Sequence, residues 1–144
     1  MDLFTPQFVR RRQRIFDRCL GWLESGAYGA VIRENLRIKY ALQSPFVSWG
    51  TVSEELVELA LRCIPATHLR CYFERLLADL AENRSGLPDL VQFWVQERRY
   101  RMIEVKAPGD RLQDNQRRWI EYCVQHELPV AVCRVRWAAC GQTQ

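Results

Sequence analysis

A chain of 144 residues is long enough to form one domain with a buried core, and its 48% apolar and 11% aromatic content excludes a disordered chain. No run of about 18 apolar residues occurs, so no membrane span is indicated, and residues 1–12 lack the charge-then-apolar order of a secretory signal. A net charge of +4 is compatible with a polyanionic partner. We expect a soluble, intracellular protein.

The cysteine and histidine content excludes several kinds of site. The six cysteines form no Cys-x-x-Cys pair and only two histidines accompany them, which excludes zinc-ribbon and zinc-finger spacings and leaves little material for a histidine-dependent triad. No glycine-rich nucleotide-binding loop is present. Most of the cysteines lie among apolar residues, so we expect buried free thiols in a reducing compartment; the six are Cys19, Cys63, Cys71, Cys123, Cys133 and Cys140.

The first half of the chain is predicted to be helical. Apolar residues recur at helical spacing over 9–23, where the helix ends near Gly26, and again over 30–42, with Pro45 as a breaker. Residues 51–55 offer a capped start for a helix that Pro65 stops. The strongest pattern covers 67–82, and residues 83–86 end it. Its apolar stripe consists of Leu69, Phe73, Leu76, Leu77 and Leu80.

The second half alternates β, β, α, β. Strands are predicted over 90–94 and 100–105 with a turn near Gln96–Glu97, followed by a helix over 112–126 and a strand over 129–137. Residues 141–144 are expected to fray. We therefore predict an α/β fold in which packed helices over 1–84 precede a catalytic β-hairpin, helix and strand over 85–138, all within a single domain 1–144. The inward positions of the helix are Leu112, Trp119, Ile120 and Cys123.

One constellation of charged residues points to chemistry. If the hairpin turn centres on 96–97, antiparallel pairing places Asp89 roughly opposite Glu104, with Cβ atoms about 5 Å apart. The alternation of side chains along a strand then places Lys106 on the same face as Glu104. Two carboxylates and one ammonium at one point predict a divalent-metal site with a cation beside it. The alternative is that Asp89 opens a strand while Glu104 and Lys106 form a surface ion pair.

Composition favours the metal-site interpretation. Of the 21 basic residues only Lys39 and Lys106 are lysines. Random placement therefore predicts only roughly 0.15 Glu-x-Lys triplets in a chain of this composition. A chain that otherwise uses arginine has a lysine here, where a compact point charge differs from a guanidinium fork.

Two further features leave alternatives open. Arginines cluster at 10–14, 98–101 and 117–118, and the last two clusters flank the predicted site; each is either a solvated face or a contact with nucleic acid. Gln116 lies on the apolar face of its predicted helix, between Leu112 and Trp119. It is either a hydrogen-bonded boundary residue or a member of the site, because the inner face of that helix can pack over the metal strand.

The segments 86–91 and 103–112, together with Gln116 and Trp119, resemble the VRR-NUC nuclease family of the PD-(D/E)xK superfamily. The resemblance is closest to the Fanconi-associated nuclease family, whose C-terminal catalytic domain carries near-identical Leu-Pro-Asp-Leu-Val and Glu-Val-Lys-x-Pro-x-Asp-Arg-Leu patterns. It extends upstream through 48–49 and 76–80, so it covers most of the chain. It implies that the predicted second half is a restriction-endonuclease-like core.

The resemblance implies a structure-specific DNA nuclease that needs Mg²⁺ or Mn²⁺ and acts on 5′ flaps and branched DNA in interstrand-crosslink repair. Asp89 and Glu104 would be the metal carboxylates, with the backbone carbonyl of Val105 as a third ligand. Lys106 would position or polarise the attacking water, and Gln116 matches the motif glutamine of the family. The arginines expected to hold the DNA backbone are Arg84, Arg99, Arg111 and Arg117.

One departure from the family sets a further expectation. The family places an additional metal-binding glutamate on a helix that would precede this chain, and Glu54, Glu55 and Glu58 do not match that position. We therefore expect a C-terminal piece of a longer nuclease, with SAP-type and helical-repeat domains as upstream partners. The protein would be nuclear in a eukaryote, and cytoplasmic or nucleoid-associated in a bacterium.

Two alternative functions stay open: a stand-alone, dimeric Holliday-junction resolvase, and a catalytically silent DNA-binding or docking module.

Overall fold

A computed structural model describes residues 2–40, 42–43 and 47–136 of the chain. These residues form a mixed α/β fold in which helices precede a β-β-α-β segment, so the predicted fold class is confirmed. The elements in chain order are α1 (Pro6–Arg11), α2 (Gln13–Ser25), α3 (Tyr28–Lys39), a 3₁₀ turn (Trp49–Thr51), α4 (Glu54–Cys63), α5 (Ala66–Ala78), α6 (Leu80–Asn83), β1 (Leu90–Trp94), β2 (Arg99–Lys106), α7 (Asp114–Gln125) and β3 (Val130–Arg134).

The described residues divide into two compact units. The helical unit comprises the residues up to Ser85 together with Phe93–Tyr100, and the sheet unit comprises Gly86–Gln92 and the residues from Arg101 onward. That residues 1–144 form a single domain stays a prediction. Among the described residues, no helix combines the length and the apolar character that a membrane crossing requires.

Local signals explain the main helices of the helical unit. In it, α2 packs against α1, α3 and α5, α3 packs against α4, and α5 packs against α6. The side chain of Ser53 caps α4 by accepting a hydrogen bond from the Leu56 N–H at 3.1 Å. Gly26 ends α2 in the left-handed conformation, with φ of 77°. The buried apolar residues of this unit are Leu3, Leu23, Leu36, Cys63 and Tyr100.

The single helix predicted over 9–23 is wrong in its start and in its continuity. Pro6 occupies the first position of α1, where its fixed φ suits a helix and its missing N–H costs nothing, so the helical segment begins earlier. The backbone leaves the helical region at Arg12, with φ of −111° and ψ of 12°. Its guanidinium turns back to Asp2 at 3.1 Å and lies over the Phe8 ring, which gives the break a local cause.

The single helix predicted over 67–82 is also interrupted. Asp79 has an extended backbone, with φ of −158°, and separates α5 from α6. Its Oδ1 accepts a hydrogen bond from the Glu82 N–H at 3.0 Å. The break follows from this contact, because an aspartate side chain that satisfies a free N–H starts a new helix.

Burial is less complete than the apolar pattern predicted. Cys63 and Cys123 are buried, but Cys19 and Cys133 are exposed. Ile15 and Phe73 are also exposed, although both lie on predicted apolar stripes. The apolar residues of each stripe lie on one side of a helix, but other described residues bury only some of them. Cys140, Pro45, Trp137 and the expected frayed end lie outside the described residues.

The predicted strands form one three-stranded sheet. The sheet order is β1-β2-β3, and β2 runs parallel to β3 with Glu104 aligned with Val132. β1 and β2 are joined by the four turn residues 95–98, a connection too short for anything but antiparallel neighbours. Helix α7 packs against β3 and buries Trp119 and Cys123. This arrangement directs the end of β2 towards the first turn of α7.

Candidate active site

Asp89 is fixed beside the end of β2 by a backbone contact. It directly precedes β1 and follows Pro88, which is buried. Its Oδ2 accepts a hydrogen bond from the Val105 N–H at 2.9 Å. The structure therefore places the carboxylate of Asp89 next to the Glu104–Val105–Lys106 segment, in agreement with the predicted convergence.

Glu104 and Lys106 form a buried charge pair. They lie two residues apart on β2, so their side chains leave the same face of the strand. Glu104 is fully buried and Lys106 is 7% exposed. The Nζ of Lys106 lies 2.7 Å from Oε1 of Glu104. The alternative of a surface ion pair is wrong, because neither side chain is on the surface.

The carboxylate of Glu104 has unsatisfied acceptors. Neither of its oxygens accepts a hydrogen bond from any residue that the structure describes, and the Lys106 ammonium approaches Oε1 without hydrogen-bond geometry. A buried carboxylate whose lone pairs are not satisfied is costly. A cation bound at its free oxygen would remove that cost.

The donor set fits a hard divalent cation. The carboxylates of Asp89 and Glu104 and the carbonyl of Val105 are oxygen donors, which Mg²⁺ and Mn²⁺ prefer. Within residues 2–40, 42–43 and 47–136, no group of three or more His, Cys, Asp or Glu side chains could hold a metal ion. Two carboxylates are nevertheless compatible with Mg²⁺, which keeps several waters and shares its coordination sphere with substrate phosphates.

Gln116 connects the first turn of α7 to Lys106. Its Oε1 accepts one hydrogen bond from Lys106 Nζ at 2.9 Å and another from the Gln113 N–H at 3.0 Å. Both partners are donors, so only the carbonyl end of the amide can face them. This hydrogen bond brings the first turn of α7 to the end of β2, while packing of the whole inner face of the helix over the site stays a prediction. Of the two interpretations left open, the contact with Lys106 favours membership of the site.

Sequence reasoning missed the contribution of Gln113. Its backbone N–H shares the Gln116 oxygen with Lys106 and thereby orients the amide. The signal was present in the spacing, because a glutamine three residues after the N-cap position reaches back to the N-cap N–H in a capping box.

The four arginines expected to contact DNA are distributed over both units, and all are exposed. In the helical unit, Arg84 lies over the Phe4 ring at 4.5 Å, and Arg99 lies over the Trp94 ring at 3.7 Å while pairing with Glu97. In the sheet unit, Arg117 lies 3.6 Å from Asp114. Arg111 is in the 107–113 segment that connects β2 to α7. Their role in DNA binding stays a prediction.

Sequence comparison identifies relatives over nearly the whole chain. The sequence-family model of the VRR-NUC domain matches residues 23–137 of this chain. The chain is 60% identical over 136 residues to a Fanconi-associated nuclease 1 homolog of Pseudomonas aeruginosa, covering 94% of this chain and 24% of that protein. It is 32% identical over 141 residues to the Caenorhabditis elegans homolog, covering 93% and 16%. The chain thus spans about a quarter or less of these relatives.

Structure comparison gives the same family. A crystal structure of paFAN1 bound to 2-nt 5′-flap DNA with a gap matches with a TM-score of 0.93 and 58% identity, covering 97% of this chain and 26% of that chain. A second paFAN1 structure, bound to 1-nt 5′-flap DNA with a gap, matches with a TM-score of 0.91 and 58% identity over 96% and 25%. From its sequence, its fold and the arrangement of Asp89, Glu104 and Lys106, this chain belongs to the VRR-NUC domain family.

Proposed function

We propose that this chain carries the catalytic part of a metal-dependent, structure-specific nuclease that hydrolyses phosphodiester bonds in 5′-flap or branched DNA during interstrand-crosslink repair. The observation that carries the proposal is the fully buried Glu104 carboxylate, which has an ammonium beside it and no hydrogen-bond donor among the described residues. Further support comes from relatives named as nucleases and from solved relatives bound to 5′-flap DNA.

In this proposal Asp89, Glu104 and the carbonyl of Val105 hold the ion, Mg²⁺ or Mn²⁺. When bound, such an ion makes a coordinated water more acidic and stabilises negative charge on a phosphate. Asp89 is oriented for this role by the Val105 N–H, and Glu104 is fully buried.

The positive charge of Lys106 would stabilise the negative charge that builds up on a phosphate during hydrolysis. Its ammonium carries three N–H donors, and one of them donates to Gln116 Oε1. The remaining donors can face an incoming phosphate oxygen or water, while the ammonium stays 2.7 Å from Glu104 Oε1 as an ion pair. Gln116 would therefore act as a positioning residue that keeps the ammonium at the site.

DNA would be held mainly through its backbone. Arg84, Arg99, Arg111 and Arg117 are exposed guanidinium groups, and contacts of this kind are independent of sequence and sensitive to salt. Because the relatives are about four times as long as this chain or longer, we propose that upstream SAP-type and helical-repeat domains take part in selecting the DNA structure.

A catalytically silent DNA-binding module is the second candidate. It is favoured by one observation, namely that the described residues offer no third His, Cys, Asp or Glu for a metal ion.

Cleavage of a labelled 5′-flap duplex tests the proposal. The chain would be assayed alone and mixed with the upstream portion of a long relative, in Mg²⁺ and in Mn²⁺. We expect metal-dependent cleavage that Glu104→Gln lowers by at least about 100-fold, because several kcal/mol of charge stabilisation depend on the ion. The matched control is Glu58→Gln, which alters an exposed glutamate of α4 in the helical unit and should leave cleavage unchanged.

The outcomes separate the candidates. Cleavage only in the mixture would place part of the site in the upstream portion. Preference for a four-way junction over a flap, with a dimeric chain, would favour the resolvase alternative. Binding of DNA without cleavage under every condition would favour the silent module.

A further inference from the structure

Gly86 lies in direct contact with the backbone of α7. A Cβ atom at this position would lie 2.6 Å from the carbonyl carbon of Asn115, 2.7 Å from its oxygen and 2.9 Å from the backbone nitrogen of Gln116. Gly86 also has φ of +91°, in a region that other residues rarely adopt. Glycine is therefore required here for two independent reasons, one conformational and one steric.

This contact joins the two segments that hold the site. Gly86 precedes Asp89 by three residues, and Asp89 is bonded to the Val105 N–H. On the other side of the contact, Gln116 is bonded to Lys106 Nζ. The loop before β1 and the first turn of α7 thus meet at Gly86, and each carries a side chain that is fixed to the end of β2.

We propose that Gly86 is a positioning residue that sets the first turn of α7, and with it the Gln116 amide that holds Lys106 beside Glu104. The inference rests on the proposed function and adds a residue with no chemistry of its own. Ordinary van der Waals contact begins at 3.4 Å, so a methyl group at Gly86 would force the loop and α7 apart by roughly 0.8 Å. Both colliding atoms of Asn115 are backbone, so no side-chain rotation can relieve the clash.

The test compares Gly86→Ala with Gly109→Ala. Gly109 also has a positive φ, of +86°, and belongs to the sheet unit, but a Cβ there would meet nothing within 4 Å. Both variants therefore carry similar backbone strain, and only Gly86→Ala carries the clash. For each variant we would record thermal unfolding and the side-chain amide signals of Gln116 in a ¹H–¹⁵N spectrum assigned with Gln116→Leu. Steady-state cleavage of a labelled flap duplex would give kcat and KM for both.

We expect the Gln116 side-chain signals to shift in Gly86→Ala and to stay in place in Gly109→Ala. We also expect kcat to fall on the order of 100-fold in Gly86→Ala alone, because a displacement near 1 Å at a catalytic group has that effect, while the KM for DNA changes little. Equal spectra and equal kcat in the two variants would overturn the proposal. An unfolded Gly86→Ala would also overturn it, by assigning the residue to folding.

A measurement on the unsubstituted chain tests the contact itself. The close approach requires a nuclear Overhauser effect between the Gly86 Hα protons and the Gln116 backbone N–H, and its absence would reject the contact. If the unsubstituted chain cleaves no DNA either alone or mixed with the upstream portion of a long relative, the proposed function fails, while the Gln116 signals still decide whether Gly86 positions the amide.

Discussion

Lys106 extends its ammonium to within 2.7 Å of Oε1 of Glu104, and the carboxylate that it approaches is fully buried. Such a pair is a poor source of stability, because the cost of removing two charges from water often exceeds their attraction in the interior. Here the cost is increased by the carboxylate oxygens, which accept no hydrogen bond from any described residue. Under the proposed function, the pair serves to bind an ion rather than to stabilise the fold.

Replacing one member of this pair should destabilise the chain more than replacing both. Lys106→Met leaves a buried, unpaired carboxylate, and we expect it to lower the free energy of unfolding by about 3–5 kcal/mol. The double variant Lys106→Met/Glu104→Met should recover most of that loss, since replacing a buried pair by apolar groups is often nearly neutral. Urea denaturation of the two variants and of the unsubstituted chain measures the difference.

The control for that comparison is Arg37→Met, which removes the guanidinium of an exposed pair with Glu34 and should change stability little. If the single Lys106 variant is as stable as the double variant, the buried carboxylate carries no penalty. The metal-site interpretation would then lose its main physical support.

Substitutions of Gln116 should separate its two roles. Gln116→Leu removes the oxygen that accepts hydrogen bonds from Lys106 Nζ and from the Gln113 N–H. We expect a loss of about 1 kcal/mol in stability from the missing cap and a fall in nuclease kcat of about tenfold or more, because Lys106 is no longer held in place.

Gln116→Glu is the matched variant, since a carboxylate retains an acceptor for both donors and is favourable in the first turn of a helix. It should keep the stability of the unsubstituted chain and retain more cleavage than Gln116→Leu. Equal losses of kcat in both variants would contradict the acceptor role and point to the amide nitrogen instead.

The elements that the sequence predicted well depend on local patterns. β1 was predicted at its observed bounds, because a β-branched and aromatic run lies between Asp89 and a turn. The common face of Glu104 and Lys106 follows from the two-residue period of a strand. The break at Asp79 was not predictable from apolar spacing, because the helical period continues through it and the cap depends on one side-chain contact.

Tertiary contacts account for the remainder of the site. The contact of Gly86 with the backbone of Gln116 joins segments 30 residues apart, and no periodicity encodes it. The burial of Glu104 without a hydrogen-bond donor is likewise a property of the packed sheet unit. Sequence could identify the charged groups, but only the structure shows that one carboxylate is left with free acceptors.

Arg111 offers a direct test of backbone contact with DNA. It is exposed and lies three residues before α7 begins, in the sheet unit that carries the site. We expect Arg111→Ala to weaken DNA binding and to reduce the slope of log K against log salt by about 1, as loss of one phosphate contact does. Fluorescence anisotropy over a salt series measures this slope. Arg62→Ala, at an exposed arginine of α4 with no proposed role, should leave it unchanged, and equal slopes for all three proteins would exclude the contact.

The helical unit should lose stability as the pH falls below about 6.5, and His68 should be a cause. Its Nδ1 lies 2.9 Å from the Tyr100 hydroxyl, which lies 3.0 Å from the Tyr72 hydroxyl. Burial lowers the pKa of His68 below its ordinary value of 6.5. The unfolded chain therefore binds a proton at a higher pH than the folded chain does, so stability is fully present above about pH 6.5 and falls between that value and the folded pKa.

Urea denaturation at several pH values between about 5 and 8 measures this dependence. His68→Gln should flatten the curve over the window below pH 6.5, since the substituted side chain cannot take up a proton. The control is His126→Gln, at an exposed histidine beside Tyr122, which should leave most of the slope in place. If His68→Gln keeps the full slope, the proton taken up on unfolding belongs to another group, and the burial of His68 has no consequence for stability.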